Sequence, residues 1–315
     1  MGLDFTVVVP TYNGATRLPL VLERLRSQVT PEPLTWEILV VDNNSTDNTA
    51  AIVQAYQTHW DYPFPLRYCF AAKQGLASAR QRGIEEAQGE FVAFLDDDNF
   101  PAPNWIANAH AFGQDHPQAG AFSGQIHGEF EVPPPEQFKR IQAFLAIRHP
   151  GGASRQFEPG QLRLPPGAGL VVRQQAWYQN VPKQLRLRGR RQRSLVAGED
   201  YEALLHLHKA GWEIWYCPTM HLSHQIPRQR LERGYLLTLA RSTGLATCQL
   251  RLVTAAPWQI PIICIRTILG NLRRIALHLI RYRGQFSTNL IAAFELQFFL
   301  GSVLSPFYVV KNRLS

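Results

Sequence analysis

The sequence predicts an α/β protein with a doubly wound, mostly parallel sheet, followed by a helical C-terminal segment. Three observations carry this expectation. Short apolar runs alternate with amphipathic helical stretches over the first hundred residues. The runs at 5–10 (F-T-V-V-V-P), 36–41 (W-E-I-L-V-V) and 91–95 (F-V-A-F-L) are mostly or wholly apolar rather than alternating, as in strands covered on both faces. The formal charge of +8 is also unevenly placed. Residues 241–315 carry nine Arg/Lys and one acid, Glu295, whereas the first 240 residues balance. The chain therefore divides near residue 240 into an α/β domain, 1–240, and a basic, apolar helical tail, 241–315.

With 315 residues the chain can bury a large core. A basic, apolar tail suggests anionic lipid and no nucleic acid. The four cysteines, Cys69, Cys217, Cys248 and Cys264, are scattered with no C-x-x-C, which indicates neither a zinc site nor a disulfide framework and fits a reducing cytoplasm. No signal peptide is expected, because Asp4 interrupts the start and a strand follows at once. The opening M-G-L-D-F-T matches the myristoylation pattern but is discounted, since Gly2 leads straight into that strand.

The elements follow in order. The strand at 5–10 ends in Thr11-Tyr12-Asn13-Gly14, and a helix runs from about 16 to 28. The strand at 36–41 ends at Asp42, and the next turn, 43–47, offers Ser, Thr and Asp to cap a helix at about 47–58. A short strand at 66–70 precedes a helix at 75–87, with Leu76, Ala79, Gly83, Ile84 and Ala87 on one face. The strand at 91–95 then runs into Asp96, Asp97 and Asp98. Right-handed crossovers place Tyr12, Asp42 and this acidic triplet along one edge of the sheet, where open α/β sheets bind ligands. Further on, a strand at 119–126, a helix at 137–147, a loop at 165–169, a strand at 170–173, a helix at 201–210 and a strand at 212–216 are expected. No internal repeat is present.

Three adjacent carboxylates repel one another and have no packing use. A hard divalent cation held by one or two of them plus substrate phosphates would resolve the repulsion, while an acidic turn ahead of Pro101 and Pro103 is the plainer alternative. Tyr12 offers an aromatic face to a nucleobase, and Asp42 can accept a hydrogen bond from a ring N–H; a loop Tyr and a capping Asp are the alternative. Arg80 and Lys73 are candidate nucleotide contacts, although Arg80 equally fits a solvated helix face. Glu199-Asp200 opens a helix, where the macrodipole favours an ionised carboxylate able to act as a base, or simply a cap. Gly167-Ala168-Gly169 lets backbone approach a ligand, or forms only a turn.

The motifs V-V-V-P-T-Y-N-G, V-V-D-N-N-S-T-D-N-T, G-L-A-S-A-R, F-L-D-D-D-N, P-G-A-G and G-E-D, then a late His, occur in that order. This set resembles the family 2 glycosyltransferases over roughly residues 4–235, which implies the glycosyltransferase-A fold and a nucleotide-diphosphate sugar donor, a UDP-sugar first. The tail and the stretch 218–227 look like a cyanobacterial subgroup linked to hormogonium polysaccharide synthesis. The resemblance implies nucleotide-sugar contacts from Pro10, Thr11, Tyr12, Asn13, Asp42, Lys73, Arg80, Asp96 and Asp97. It implies Asp98 as the ligand of Mn²⁺ or Mg²⁺, Asp96 toward ribose or a metal-bound water, and Asp200 as the general base of an inverting transfer. His224 follows Pro218 by six residues, as in the family's late P…H pattern, and would complete the metal site; His221 is the competitor. Gly167, Ala168, Gly169 and Glu199 fall at the acceptor side. The Q-x-x-R-W motif of processive synthases is absent, since 228–234 reads R-Q-R-L-E-R-G, which favours transfer of one sugar.

The run 183–193 holds six basic residues in eleven and is either a contact for a phosphate-bearing acceptor or a solvated loop. From 267 to 283, Ile268, Leu269, Leu272, Ile275, Ala276, Leu279 and Ile280 share one helical face, with Asn271, Arg274, His278 and Arg281 opposite, the pattern of a helix lying in a membrane interface. Residues 286–310 are long and apolar enough to span, against which stand Glu295, Asn289 and Pro306. Attachment at the cytoplasmic face of the membrane, packing onto the α/β domain, and spanning are the three alternatives. The expectation is a hexosyltransferase acting on a saccharide or lipid-linked acceptor at an anionic membrane surface in polysaccharide synthesis. Its rivals are a sugar nucleotidyltransferase, which would need a Gly-rich phosphate loop that 10–17 lacks, and a membrane scaffold with a dead donor site, which would have lost the acidic motifs.

Overall fold

In the computed structural model, which describes residues 2–187 and 198–314, the first strand β1 (Leu3–Thr11) is buried from Phe5 onward. It pairs in parallel with β2 (Trp36–Asp42), and β2 with β3 (Leu66–Phe70). The connecting helices α1 (Leu18–Arg26) and α2 (Thr49–Thr58) pack on the sheet; in α1, Leu18, Val21, Leu22 and Leu25 form the buried stripe that the helical period requires. After α3 (Leu76–Glu86) the chain returns to the other side of β1 as β4 (Gly89–Phe94), also parallel. Strand order thus reverses between β1 and β4, the switch point at which this sheet type opens a crevice.

A short strand β5 (Asn99–Pro101) and helix α4 (Trp105–Asp115) lead to β6 (Ala119–Phe130). The remaining elements are β7 (Arg155–Gln156), β8 (Leu170–Arg173), α5 (Gln174–Asn180), α6 (Glu199–Lys209) and β9 (Glu213–Ile226). The sheet runs β3-β2-β1-β4-β8-β6-β9-β5, with β7 on β9. β8 is antiparallel to both β4 and β6, while β6 and β9 are parallel, so the sheet is mixed but mostly parallel.

Two expectations are corrected here. The stretch 137–147 forms two 3₁₀ turns, Phe138–Arg140 and Gln142–Leu145, separated at Ile141 (φ −121°) and ended by Ala146 in the left-handed region, not one helix. β9 does not stop before Pro218 but continues to Ile226, because the β6–β9 register shifts between Ser123 and Gln125 and so accommodates the proline outside the ladder.

The chain ends in α7 (Arg228–Leu231), α8 (Arg233–Val253), α9 (Ile260–Tyr282) and α10 (Leu290–Leu314). The charge boundary near residue 240 falls inside α8, which runs through it without a break. α8 and α10 cross closely at small residues: a Cβ on Gly244 would lie 2.4 Å from the Phe298 carbonyl oxygen, and one on Gly301 would lie 2.3 Å from that of Arg241. Leu290–Val309 is long and apolar enough to cross a bilayer, yet 44% of it is buried inside the molecule. α9 is inverted. Its buried residues are Thr267, Asn271 and His278, whereas Ile265, Leu269, Leu272 and Ile280 stand outward at 48–72% exposure. Cys248 and Cys264 form no disulfide, and their sulfurs lie 3.8 Å apart across α8 and α9, a proximity their sequence spacing did not indicate.

Candidate active site

The crevice at the sheet's switch point is a cavity of ≈ 790 Å³. Pro10, Thr11 and Tyr12 form one wall, Asp96–Asp98 the floor, and Gly167, Ala168, Glu199 and Asp200 the opposite wall. Local structure explains each placement. β4 ends at Phe94, so the acidic triplet turns out of the sheet at its C-terminal edge before β5 re-enters beside β9. The β5–β9 register pairs Asn99 with His224, and the Gln225 N–H donates to the Asp98 carbonyl, which sets His224 beside Asp98.

The triplet's mutual repulsion is resolved by three arginines, one for each carboxylate. Arg80 Nη2 lies 3.2 Å from Asp96 Oδ1, Arg17 Nη2 2.9 Å from Asp97 Oδ2, and Arg230 Nη2 2.7 Å from Asp98 Oδ2. Arg17 grips Asp97 in a fork, Nε to Oδ1 at 3.0 Å and Nη2 to Oδ2, and the Thr11 hydroxyl donates to Oδ2 at 2.6 Å. Both oxygens of Asp97 are thus engaged by the chain itself. Burial outweighs these partners and leaves the Asp97 carboxyl above its ordinary value. Burial would also raise Asp98, but the His224 ring and the Arg230 guanidinium reverse the direction and hold it below the usual carboxylate range. His224 is neutral in the arrangement its contacts impose, so the guanidinium is the charged partner of Asp98.

His224 is buried. Its Nδ1 lies 3.0 Å from the Leu145 carbonyl, and Arg230 Nη1 lies 2.9 Å from its Nε2. An arginine can only donate, so Nε2 accepts and Nδ1 carries the hydrogen. That tautomer leaves Nε2 an acceptor on the side of Asp98, whose Oδ2 is 3.6 Å away. A divalent cation takes cis ligands roughly 3 Å apart, so this oxygen and nitrogen fit one ion, with Arg230 now in the space between them. No cluster of three or more His, Cys, Asp or Glu ligands forms among the described residues, so substrate phosphate and water would supply the remaining positions. His221 is three residues away on the same strand and faces the other side, where it meets His127 at 3.2 Å and Gln125 at 3.4 Å.

On the opposite wall, Asp200 lies in the first turn of α6. The Gly167 N–H donates to its Oδ2 at 2.6 Å and the Tyr201 N–H to its Oδ1 at 2.9 Å, so it is held by the loop as well as by the helix. Gly198, at φ +125°, supplies the sharp entry into the helix. Glu199 is buried, and its Oε1 lies 3.5 Å from Arg80 Nη1. Burial and the Asp200 charge raise the Glu199 carboxyl, and Arg80 pulls it back only in part. Arg80 is therefore a buried brace between the floor and this wall, not a solvated helix residue. Its guanidinium fills the space where a Cβ on Gly167 would sit, 2.4 Å from Nη1.

Four expected contacts do not reach the cavity wall. Asp42 is 2% exposed, with Oδ1 taken by the Ser45 N–H and Oδ2 by the Tyr68 hydroxyl. Asn13 turns in the left-handed region to bind the 45–46 backbone and hydroxyls. Lys73 lines a neighbouring cavity of ≈ 580 Å³ together with Lys183 and Arg186. Gly169 has φ +66° and packs under Leu222. Of the basic run 183–193, residues 188–193 lie outside the described residues. The sequence reading missed Arg17 and Arg230. Their only signal was a charge argument, because three carboxylates need cations and both arginines lie far from the triplet in sequence.

A mixed sheet with a switch-point cavity, an acidic turn at the end of β4 and a carboxylate at a helix start make up the glycosyltransferase-A architecture. The chain belongs to Glycosyl transferase family 2, whose model matches residues 6–176. Glycosyltransferase AglE of Haloferax volcanii is 37% identical over 101 residues, 32% of each chain. Poly(ribitol-phosphate) beta-N-acetylglucosaminyltransferase TarS of Staphylococcus aureus is 32% identical over 114 residues, 36% of this chain and 19% of TarS. These matches span a third or less of the relatives' own length. TarS residues 1–349 in complex with UDP share the fold at TM-score 0.53 and 16% identity, covering 98% of this chain and 92% of that one. Mannosyltransferase PcManGT of Pyrobaculum calidifontis, in complex with GDP-Man and Mn²⁺, does so at TM-score 0.61 and 19% identity, covering 98% and 88%.

Proposed function

We propose that this chain is an inverting, divalent-metal-dependent hexosyltransferase. It moves one sugar from a nucleotide-diphosphate sugar, a UDP-sugar first, to a saccharide or lipid-linked acceptor in polysaccharide synthesis. It works at the cytoplasmic face of the cell membrane. The observation that carries this reading is one cavity that holds the Asp98–His224 donor pair on its floor and Asp200 on the facing wall. The complex of the Pyrobaculum enzyme with GDP-Man and Mn²⁺ and that of TarS with UDP support the donor class and the metal.

Pro10, Thr11 and Tyr12 line the nucleotide end, with the Tyr12 ring available to the base. Asp98 and His224 Nε2 would hold the metal, and the bound ion would neutralise charge developing on the departing diphosphate. Asp97, gripped by Arg17 and Thr11, ties the nucleotide loop to the floor. Asp200 takes the proton of the acceptor hydroxyl as its oxygen bonds to the anomeric carbon and the bond to the diphosphate breaks. Attack from the face opposite the leaving group inverts that carbon. The Gly167 and Tyr201 N–H groups fix the orientation of the Asp200 carboxylate that this role needs.

The test is a panel of UDP-, GDP- and dTDP-sugars scored for binding by calorimetry and for release of free nucleotide, each with and without Mn²⁺. Mn²⁺-dependent release from one donor class is expected. Failure of every nucleotide in the panel to bind, with metal or without, would overturn the reading.

A further inference from the structure

The cavity continues beyond Asp200 onto the C-terminal helices. Thr247 and Arg251 of α8, Asn271 and Arg274 of α9, and Ser302 of α10 form this arm. α8 reaches the Asp200 turn directly, since a Cβ on Gly198 would sit 3.5 Å from Leu250 Cδ1 and 3.7 Å from Ala246 Cβ.

Three features of the arm point to a ligand. First, its positive charge is uncompensated. Arg251 and Arg274 make no ion pair among the described residues, and the one acid in the tail, Glu295, is taken by Arg140 at 2.6 Å with His278 at 3.6 Å. Second, Asn271 is 6% exposed and has an unmet acceptor. Its Nδ2 donates to the Thr267 carbonyl, and its Oδ1 has no partner. Third, α9 turns this polar face inward while its apolar face stands in solvent beside Arg266, Arg273 and Arg281. A helix inverted in this way is stable against a membrane surface, with anionic headgroups over the arginines.

We propose that this arm is the acceptor site and that it takes an amphiphile with a phosphate head. Arg251 and Arg274 hold the phosphate, Asn271 and Thr247 meet hydroxyls near it, and the apolar chain leaves toward the membrane-facing side of α9. The word acceptor rests on the transferase reading; the binding does not. The phosphate contacts sought in the run 183–193 are assigned instead to α8 and α9.

The test is calorimetry of the full chain, without nucleotide sugar, using octyl phosphate below its micellar concentration, inorganic phosphate and octyl glucoside. Octyl phosphate should bind more tightly than either single-feature probe, by about tenfold or more. Arg251→Gln/Arg274→Gln should lose about tenfold or more in octyl phosphate affinity, and Arg251→Lys/Arg274→Lys much less. The charge-matched Arg266→Gln/Arg273→Gln, outside the cavity, should lose little. Equal losses in the two Gln pairs would overturn the site in favour of diffuse charge. Inorganic phosphate binding as tightly as octyl phosphate would overturn the lipid assignment, and equally tight octyl glucoside would overturn the phosphate. If octyl phosphate behaves as expected while no nucleotide binds, the transferase reading falls and this site stands.

Discussion

Replacing Arg80 with Met removes the buried brace between Asp96 and Glu199 while keeping an unbranched apolar stem against Phe94 and Gly167. The two carboxylates respond differently. The Asp96 side chain is 29% exposed and can recover water, whereas that of Glu199 is 4% exposed and cannot. Removing one partner of a buried pair costs about 3–5 kcal/mol, because a charge is left without compensation. Glu199 can escape part of that cost by taking a proton. Burial and Asp200 already raise its carboxyl, and loss of Arg80 removes the opposing pull. A carboxyl raised on folding binds a proton that the unfolded chain releases. Stability therefore falls as pH climbs from the unfolded value of about 4.3 toward the folded one, by up to about 1.4 kcal/mol per unit. Urea unfolding of the full chain at pH 5 and pH 8 should show Arg80→Met losing about 3–5 kcal/mol at pH 8 and clearly less at pH 5. A loss below about 1 kcal/mol at pH 8, or the same loss at both pH values, would refute the brace.

Three further outcomes are expected. Asp200→Asn should lower sugar transfer by about 10²–10⁴-fold while nucleotide affinity in calorimetry is unchanged; more than about one hundredth of wild-type transfer would remove Asp200 from the role of base. Arg230→Gln should tighten Mn²⁺ binding, since the guanidinium now holds the Asp98 and His224 atoms that the ion would use; weaker binding would mean that Arg230 supports the metal state. Leu269→Glu/Ile280→Glu should reduce pelleting with anionic vesicles and leave soluble, folded protein, and the residual binding should fall with salt. These substitutions are a cleaner perturbation than truncation at residue 240, which would cut α8 in the middle.

The strand–helix alternation was legible because each element carries its own period. The strands Leu66–Phe70 and Leu170–Arg173 lie where expected, and the amphipathic period of α9 followed from spacing, whereas the outward turn of its apolar face did not. Features that depend on distant pairing were not legible. The sequence offers a metal as the remedy for three carboxylates, whereas the fold supplies Arg17, Arg80 and Arg230, none of them adjacent to the triplet in the chain. Of His221 and His224, only His224 stands beside Asp98 once 213–226 is one strand, because residues three apart point to opposite faces. Splitting 137–147 into two 3₁₀ turns accompanies use of the Leu145 carbonyl by His224, a contact 79 residues long that no local pattern records. Asp42 looked like a base contact because it ends a strand at the right edge, but Tyr68 on the neighbouring strand takes one of its oxygens.

Asp98 and His224 are proposed to hold a metal for a nucleotide diphosphate. Calorimetry of UDP binding to wild-type protein and to Asp98→Ala, each with and without Mn²⁺, tests it most directly. Mn²⁺ should strengthen UDP binding in the wild type, and this strengthening should disappear in Asp98→Ala. Metal-dependent UDP affinity that persists unchanged in Asp98→Ala would contradict it.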